Sequence, residues 1–462
     1  MRQMEARVRI LSDAEVKRIH ESSLRILSEI GLRVPHEAVM KQMQAHGAQV
    51  DFETQVVRIP EAALAPVLEE ARAGNHAFRR TGDVVEPVTG SVSTQVFRMD
   101  YRTGTRRAGT LADVREGIAL IEGLPNIPRA NAVVVPSDAA LPDVASFLQI
   151  YKYARKDGGA YILSAHSARY IIRMAQCMGR RVSYLLDTVS PLQFTQESLA
   201  IALEFARAGM PLTMTPLVMA GSTGPVTLAG ALTLQNAEAL ALLFVIRVLT
   251  GEIAQYVASG HSSDVMHTMM CSFGSPNQAL FGVGAAQMAA YYGLTAGSNS
   301  GLTDALFPNF QGGFEKGFTS ALSVLAGCRA IGGQGIAGAD QGFSFEQLVL
   351  DDCWLDALNY VLRGVEVNED TIGFDALAEV GIGGNFLGEE HTVAYMRDNW
   401  WQSTLFQCNP FTDPVSRDDL LARAHDRARA LIRENWTEEP VIDRALACAL
   451  DEIAAEAERT RR

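Results

Sequence analysis

The sequence predicts an α/β protein, a (β/α)8 TIM barrel with an N-terminal helical layer and a C-terminal helical extension. Short apolar runs alternate with amphipathic helical patterns eight times over about 250 residues, the size of a closed barrel. Polar or glycine-rich residues cluster directly after the runs, where barrel enzymes place their sites. A doubly wound open sheet is the alternative, but the alternation never pauses for a switch point in strand order.

The N-terminal segment, residues 1–90, is expected to be a helical segment packed on the barrel. Residues 11–34 carry apolar side chains at three- and four-residue spacing after a Ser-Asp start, and residues 59–73 repeat this pattern. Both features are typical of amphipathic helices with capped N-termini.

The β/α alternation occupies residues 91–365, the expected catalytic core. The predicted strands are VSTQVF, ANAVVVP, AYILS, LQFT, LTMTPLVM, AQYVAS, LTAGS and AIGGQG. The predicted helices are ADVREGIALIEGL, VASFLQIYKYAR, ARYIIRMAQCMG, ESLAIALEFARAG, LQNAEALALLFVIRVLTG, NQALFGVGAAQMAAYYG, EKGFTSALSVLAGC and FEQLVLDDCWLDALNYVLRG. Residues 366–462 return to helical patterns and form the expected C-terminal extension.

Composition restricts the partners. The formal charge of −13 is spread without a basic stripe, which argues against nucleic acid and anionic membranes. The most apolar run, ALALLFVIRVL, is interrupted by Arg247 before it reaches the length of about 18 residues that a membrane span needs. The N-terminus lacks an apolar signal core, and six scattered cysteines suit reduced thiols. We therefore expect a cytoplasmic protein with small-molecule or protein partners.

A glycine-rich turn at residues 219–240, MAGSTGPVTLAGALTLQNAEAL, raises the question of what its backbone binds. Exposed N–H groups at a helix start attract phosphate, but a Walker loop needs a Gly-Lys pair that is missing here. In a simple βα turn, Gly221 and Gly224 would turn the chain, Pro225 would stiffen it and Thr227 would cap the helix.

Two other patterns carry weak signals. Gly333, Gly335 and Gly338 match a dinucleotide fingerprint, but DQGFS follows them before any helix begins. A zinc site is conceivable in the segment SGHSSDVMHTMMC, which contains His261, Asp264, His267 and Cys271, the last two at helical i,i+4 spacing. The alternative is a loop histidine with buried polar neighbours.

The stretch GSTGPVTLAGALTLQNAEAL resembles the signature of the trimethylamine methyltransferase family, the corrinoid-dependent methylamine demethylases. Further similar stretches follow in the same order along nearly the whole chain: LSDAEVKRIHESSLRILSEIGLRV, GLTDALFPNFQGGFEK, SFEQLVLDD and GGNFLGEEHTVAYMRDNWW. Two positions depart from the family pattern, Asn277 where an acid is expected and Phe314 where tyrosine is usual. The resemblance implies a barrel that passes a methyl group from a methylated amine to the cobalt of a separate corrinoid protein.

Members of that family that use trimethylamine carry pyrrolysine, whereas the corresponding segment here, GIAGADQG at residues 335–342, has only standard residues. A neutral tertiary amine is a poor methyl donor, because its leaving group would be an amide anion. A quaternary ammonium is already cationic and needs only alignment with the nucleophile and exclusion of water. The sequence therefore favours a quaternary donor of the betaine type, such as glycine betaine.

Aromatic faces and carboxylates are expected to hold the cationic nitrogen of the donor. Arg, His or backbone N–H groups are expected to hold the carboxylate of a betaine. The catalytic candidates are polar residues after predicted strands or at helix starts: Asp304, Glu315, Gln334 and Glu346. The substrate-binding candidates are Phe97, Phe307, Phe314, Asp340, Phe343 and His391. The candidates for facing substrate or corrinoid are polar residues of the glycine-rich turn: Thr223, Thr227, Gln235 and Asn236. For each, an ordinary cap, core or surface role is the alternative.

Two other functions remain open. The methyl group could pass directly to tetrahydrofolate, for which an enclosed pterin pocket would be expected, whereas an apolar docking rim at the mouth would favour a corrinoid protein. A non-catalytic betaine-binding protein would show affinity without turnover. An S-adenosylmethionine methyltransferase lacks support, since the usual glycine-rich start after a first strand is missing. By resemblance to related barrels we also expect a homo-oligomer.

Overall fold

The computed structural model describes residues 8–74, 87–89, 95–408 and 419–461. Helices α1 to α16 span Asp13–Arg25, Glu37–Ala45, Glu61–Gly74, Leu111–Glu122, Pro142–Tyr153, Ala165–Cys177, Gln196–Arg207, Leu228–Thr250, Pro276–Tyr292, Phe310–Leu325, Phe345–Leu362, Glu369–Ile372, Phe374–Val380, Glu390–Tyr395, Leu420–Asn435 and Arg444–Arg459. Strands β1 to β16 span Leu32–Arg33, Gln49–Asp51, Val56–Arg58, Val88–Thr89, Phe97–Asp100, Thr105–Ala108, Tyr184–Thr188, Leu212–Pro216, Met219–Ala220, Tyr256–Ala258, His261–Ser263, Cys271–Ser272, Ala296–Ser298, Cys328–Ile331, Ile336–Ala337 and Gly342–Phe343.

The fold is mixed α/β, and its central strands are parallel. One sheet has the order β10-β13-β14-β4, with every pair parallel, and a second joins β7 to β8. Single backbone hydrogen bonds extend the array: Ser259 N–H donates to Pro216 O at 3.1 Å, and Ala132 N–H donates to Gly159 O at 2.9 Å. Regular ladders do not trace a complete circuit of eight strands through the described residues.

All eight helices predicted for residues 91–365 are present as α4 to α11. Their apolar faces repeat at the period of a helix, and hydroxyl or amide caps start several of them: Thr110, Ser164, Thr195, Thr227, Asn309 and Ser344. Local spacing and capping therefore identified these helices without tertiary information.

The strand predictions were less accurate. ANAVVVP and AYILS form no ladder strand. LQFT is wrong as a strand: Leu192 has a left-handed φ of 57°, and the strand at this place is β7, earlier in the chain. Of VSTQVF, residues 92–94 lie outside the described residues, and β5 begins at Phe97.

Helices from both ends of the chain pack on the helices of the β/α region. Helices α1, α2 and α3 contact α8, and beside them lies an antiparallel sheet of order β1-β3-β2 that the sequence did not predict. In the extension, α15 packs on α4 and α11, and α16 packs on α5 and α6. The domain boundaries at 90 and 365 stay predictions, and β4 already joins the parallel sheet before residue 91.

Helix α8 has 23 residues and is long and apolar enough to span a membrane. The expectation that no such segment exists was wrong, because the helix begins at Leu228 and a single Arg247 near its end does not make the whole segment polar. Most of the helix is buried inside the fold, as in the core helix of a soluble protein.

Two small sheets form after the parallel strands. One has the order β12-β11-β9 and the other the order β15-β16-β5-β6. Strands β9, β11, β12, β15 and β16 come from segments that follow β8, β10 and β14. They place polar residues from distant segments around one cavity.

Candidate functional site

A cavity of about 1100 Å³ lies among the loops that follow the parallel strands. Two carboxylates, Asp264 and Asp304, contribute to its lining, and Arg106 contributes a cationic side chain. Other lining side chains are aromatic, sulfur-containing or uncharged and polar: Phe97, Met99, Ser262, Met270, Cys271, Ser272, Asn277 and Phe307. The predicted residues Phe97, Asp304 and Phe307 are thus brought together.

Asp304 is held in a fixed orientation at the cavity. Its carboxylate accepts hydrogen bonds from the Ser272 hydroxyl at 2.7 Å, from Phe273 N–H at 2.6 Å and from Gly274 N–H at 3.2 Å. The anion is therefore preorganised. The geometry makes Asp304 the best-supported carboxylate for contact with a cationic ligand.

Glu315, from α10, supports this arrangement. Its carboxylate accepts the Thr303 hydroxyl at 2.5 Å and the Asp304 N–H at 2.9 Å. A Cβ atom on Gly274 would lie 2.1 Å from Glu315 Oε2, so a larger residue at that position would displace the Glu315 side chain. Glu315 thus positions the loop that carries Asp304, and it does not line the cavity.

The electrostatic environment of the cavity favours cations. Burial, together with the negative charges of Asp304 and Asp340, raises the pKa of the Cys271 thiol to about 12. The thiol therefore stays protonated and is a poor nucleophile at neutral pH. The same charges that disfavour a thiolate stabilise a positive charge.

Two buried polar side chains, Gln235 and His261, lie in segments that follow β8 and β10. His261 is fully buried, its Nδ1 lies 2.5 Å from Gln278 Oε1, and burial lowers its pKa to about 3. Among the described residues, neither its Nε2 nor the Oε1 of buried Gln235, which lies against Gly260, has a hydrogen-bond partner. His261 is therefore a neutral imidazole.

The buried Lys316 joins two loops. Its Nζ donates to Gly301 O at 2.6 Å, to Gly333 O at 2.5 Å and to Asp351 Oδ2 at 3.1 Å. Gln334, also buried, donates to Gly332 O at 2.8 Å and does not line the cavity. This network fixes the ends of β13 and β14 relative to each other.

Several other candidates lie away from the cavity lining. Glu346 is buried and accepts from Ser344 at 2.8 Å, and the His425 Nδ1 lies 2.9 Å from it, so that it links α11 to α15. Phe343 is packed in the core beside Phe345. Their placement in the sequence was compatible with the cavity, but packing of α11 against α15 directs Glu346 elsewhere, and Phe343 is taken into the core.

Phe314 and His391 are also placed elsewhere. Phe314 is exposed in a stacked row with Phe310 and Phe318, because α10 starts five residues earlier than predicted and turns this face outward. His391 lies in the extension, 3.1 Å from Asp370 O. Asp340 is nearer, bonded through Oδ1 to Gln95 Nε2 at 2.5 Å, and its charge reaches Cys271.

The polar side chains of the glycine-rich turn form hydrogen bonds within the protein. The Thr223 hydroxyl accepts from Met219 N–H, closing the turn, and Thr227 caps α8 by accepting from Gly230 N–H at 3.3 Å, as predicted. Asn236 does not face the cavity: fully buried, it bonds to the side chains of Ser23, Tyr256 and Tyr292. Contacts with the N-terminal layer, invisible in the local pattern, decide its position.

The alternative motifs do not form their sites. His267 and Cys271 share no helix, since residues 264–270 form a loop in which His267 Nδ1 lies 2.9 Å from Asp264. No group of three His, Cys, Asp or Glu side chains is placed to hold a metal within the described ranges. Gly333 and Gly335 precede the β15–β16 hairpin and Gly338 lies in its connecting loop, which is not the strand-to-helix turn of a dinucleotide site.

Sequence reasoning missed the wall formed by β5 and β6. This antiparallel hairpin places Phe97, Met99 and Arg106 at the cavity and pairs with β16. The signal was present as two short alternating runs, FRMD and TRRA, separated by YRTG.

Comparisons with known proteins agree with the resemblance. The family model "Trimethylamine methyltransferase (MTTB)" matches residues 1–460. A trimethylamine methyltransferase of Desulfitobacterium hafniense is 27% identical over 97% of this chain and 93% of that protein. A glycine betaine methyltransferase of Desulfitobacterium hafniense is 28% identical over 93% of each chain.

Among solved structures, the monomethylamine methyltransferase of Methanosarcina barkeri aligns with 93% of this chain and 95% of its own, at a TM-score of 0.45 and 9% identity. The family model, by contrast, matches nearly every residue of the chain. The chain therefore belongs to the trimethylamine methyltransferase family, and it is a methyltransferase.

Proposed function

We propose that this enzyme transfers a methyl group from a quaternary amine of the betaine type to the Co(I) of a separate corrinoid protein. The observation that carries the proposal is the fixed carboxylate of Asp304 in a cavity that also presents Phe97 and Phe307. Carboxylates and aromatic faces are the groups that attract a quaternary ammonium. The similarity to a glycine betaine methyltransferase supports the same donor class.

The residues of the cavity suit a donor that needs no protonation. Cys271 stays a neutral thiol, and His261 stays a neutral imidazole outside the lining. A quaternary donor leaves as a neutral tertiary amine, so neither a general acid nor a protein nucleophile is required. The protein's contribution is then to orient the methyl group and to exclude water.

Reduced corrinoid cobalt, when brought by its carrier, supplies the nucleophile for the methyl group. Large apolar side chains are exposed at the cavity and beside it: Met270 and Leu306 line it, Met266 and Met269 belong to the same loop as Met270, and Phe310 begins the helix after Leu306. An apolar rim of this kind fits a docking protein better than a free cofactor. Tetrahydrofolate stays the second acceptor, whereas a non-catalytic betaine-binding protein does not agree with the assignment of the chain as a methyltransferase.

The first test is anaerobic incubation of the protein with chemically reduced cob(I)alamin and glycine betaine, proline betaine, carnitine, choline or trimethylamine. We expect one quaternary amine to cause loss of the Co(I) absorbance band, with an equal amount of tertiary amine formed, and trimethylamine to be inactive. If no donor caused loss of the Co(I) band, even with the cognate corrinoid protein and with an intact circular-dichroism spectrum of the enzyme, cobalt methylation would be refuted. Turnover with tetrahydrofolate alone would favour the second acceptor.

We also propose that the parallel segments close into the (β/α)8 barrel. The pairing of β14 with β4 supports closure, because it joins the last predicted strand to a strand near the start of the array. A cytoplasmic location is proposed with it, because the six scattered cysteines suit reduced thiols.

A homo-oligomer is proposed from the extension. Between Arg363 and Thr404 no residue is buried, although the segment forms α12, α13 and α14. Large apolar side chains are exposed there: Val365, Val367, Ile372, Phe374, Leu377, Ile382, Phe386, Leu387, Val393, Met396 and Trp400. Such short helices are marginal alone, and an apolar surface of this extent needs a permanent cover. A second copy is always available, whereas a carrier protein must dissociate after each turnover.

Sedimentation equilibrium tests this proposal. We expect the wild type to exceed the monomer mass of 50.1 kDa. Replacing Phe374 and Leu387 together by glutamate should shift the protein toward monomer, because burial of two charges at an interface is unfavourable. The matched control, Ile30→Glu, changes an exposed side chain on the N-terminal layer and should leave the mass unchanged. A monomeric wild type would contradict the proposal.

A further inference from the structure

The cavity has a cationic wall as well as an anionic one. Arg106 lies on β6, which forms the cavity wall with β5, whereas Asp304 and Asp264 come from segments that follow β13 and β10. A ligand with one positive charge would leave the arginine without a partner. The position of Arg106 therefore bears on the chemical group at the second end of the substrate.

Neighbouring arginines of the hairpin have carboxylate partners. Arg98 and Arg107 both pair with buried Asp113. Burial raises the pKa of Asp113, but hydrogen bonds from Arg107 and Arg98 outweigh this effect and lower the pKa to about 2. Because successive side chains of a strand point to opposite faces, Arg106 points away from this cluster. The two clamped arginines hold the hairpin in place.

Arg106 itself forms no ion pair with a described residue. Its guanidinium lies over the Phe97 ring, 5.0 Å from the centroid, and its Nη1 makes one long hydrogen bond of 3.4 Å to Gln341 Oε1. The planar fork of arginine matches the geometry of a carboxylate, and stacking on an aromatic ring orients it. Arg106 is thus a preoriented guanidinium on the cavity with capacity for an anionic group.

We propose that Arg106 forms a carboxylate-binding subsite, so that the enzyme selects zwitterionic quaternary amines over purely cationic ones. The ammonium end faces Asp304 and Phe307, and the carboxylate end faces the Arg106 guanidinium. This inference rests on the proposed function, because it assigns the second end of the same donor. An anionic group of the corrinoid is the competing ligand for Arg106.

Isothermal titration of the purified full-length protein with glycine betaine and with its methyl ester tests the subsite. The two compounds share the quaternary nitrogen, but the ester lacks the negative charge. We expect the wild type to prefer glycine betaine, and Arg106→Ala to raise its Kd about 10- to 100-fold with little change for the ester. Arg106→Lys should retain part of the preference, because it keeps the charge without the fork.

The matched control is Arg102→Ala, an exposed arginine of the same hairpin that does not line the cavity. It should leave both Kd values unchanged. An Arg106→Ala protein that keeps the wild-type preference would overturn the subsite while leaving the proposed function intact. A change confined to the KM for the corrinoid protein would assign Arg106 to the acceptor instead. If the wild type bound neither compound, the proposed function itself would fail.

Discussion

Replacing Asp304 by asparagine is expected to weaken quaternary amine binding about a hundredfold while leaving kcat within about threefold of the wild type. At an effective dielectric constant of about 20, a close ion pair contributes roughly 3–4 kcal/mol, and roughly 3 kcal/mol corresponds to about a hundredfold in Kd. The positive charge on nitrogen decreases as the methyl group leaves, so the carboxylate stabilises the bound substrate more than the transition state. The loss should therefore appear in Kd and KM.

Asp264→Asn is the matched control for Asp304→Asn. Asp264 lines the same cavity but is partly exposed and bonded to His267 and Thr268. Screening by solvent should keep its effect on Kd below about threefold. Titration calorimetry and steady-state kinetics measure both variants, and thermal melting checks that the loop of residues 272–274 stays folded. A large loss of kcat at unchanged Kd in Asp304→Asn would contradict this assignment.

The second large effect is expected at Lys316. Its Nζ and the Asp351 carboxylate are both fully buried, and burial lowers the lysine pKa although Asp351 opposes the shift. Lys316→Met would leave a buried carboxylate without its cation and two carbonyl oxygens without their donor. Breaking a buried ion pair in this way costs about 3–5 kcal/mol. We expect a clear fall in the midpoint of thermal unfolding.

A double replacement separates charge from packing. Asp351→Asn in the Lys316→Met background removes the uncompensated charge and should recover part of the lost stability. Lys41→Met, which breaks an exposed pair with Glu37, is the control and should cost less than about 1 kcal/mol. Equal melting temperatures for Lys316→Met and Lys41→Met would show that the buried pair does not hold these loops together.

The helices could be predicted because their signals are local. In α4, for example, the residues of the predicted run ADVREGIALIEGL already contain the apolar spacing, and the cap at Thr110 is the residue before the helix. Strands depend on partners elsewhere in the chain. ANAVVVP has the composition of a strand, yet its backbone bonds to Asp157, Gly159 and Gln95 one at a time, without a ladder.

The sequence also determined part of the site. Asp304 follows β13 in the family-like stretch GLTDALFPNF, and its position at the strand end predicted the cavity. Arg106 was missed, because nothing local distinguishes it from the paired arginines beside it. Only the pairing of β5 with β16 turns its face toward the cavity.

What the sequence determined by itself is the family, the succession of helices and a carboxylate at the cavity, because each follows from residues close together in the chain. Only the tertiary structure decided which hydrogen-bond partner each polar side chain has. Glu346 bonds to His425, 79 residues away, and Asn236 to Ser23, 213 residues away. Neither residue reaches the cavity, since a buried polar group takes the partner that packing brings to it, and local spacing carries no record of that partner.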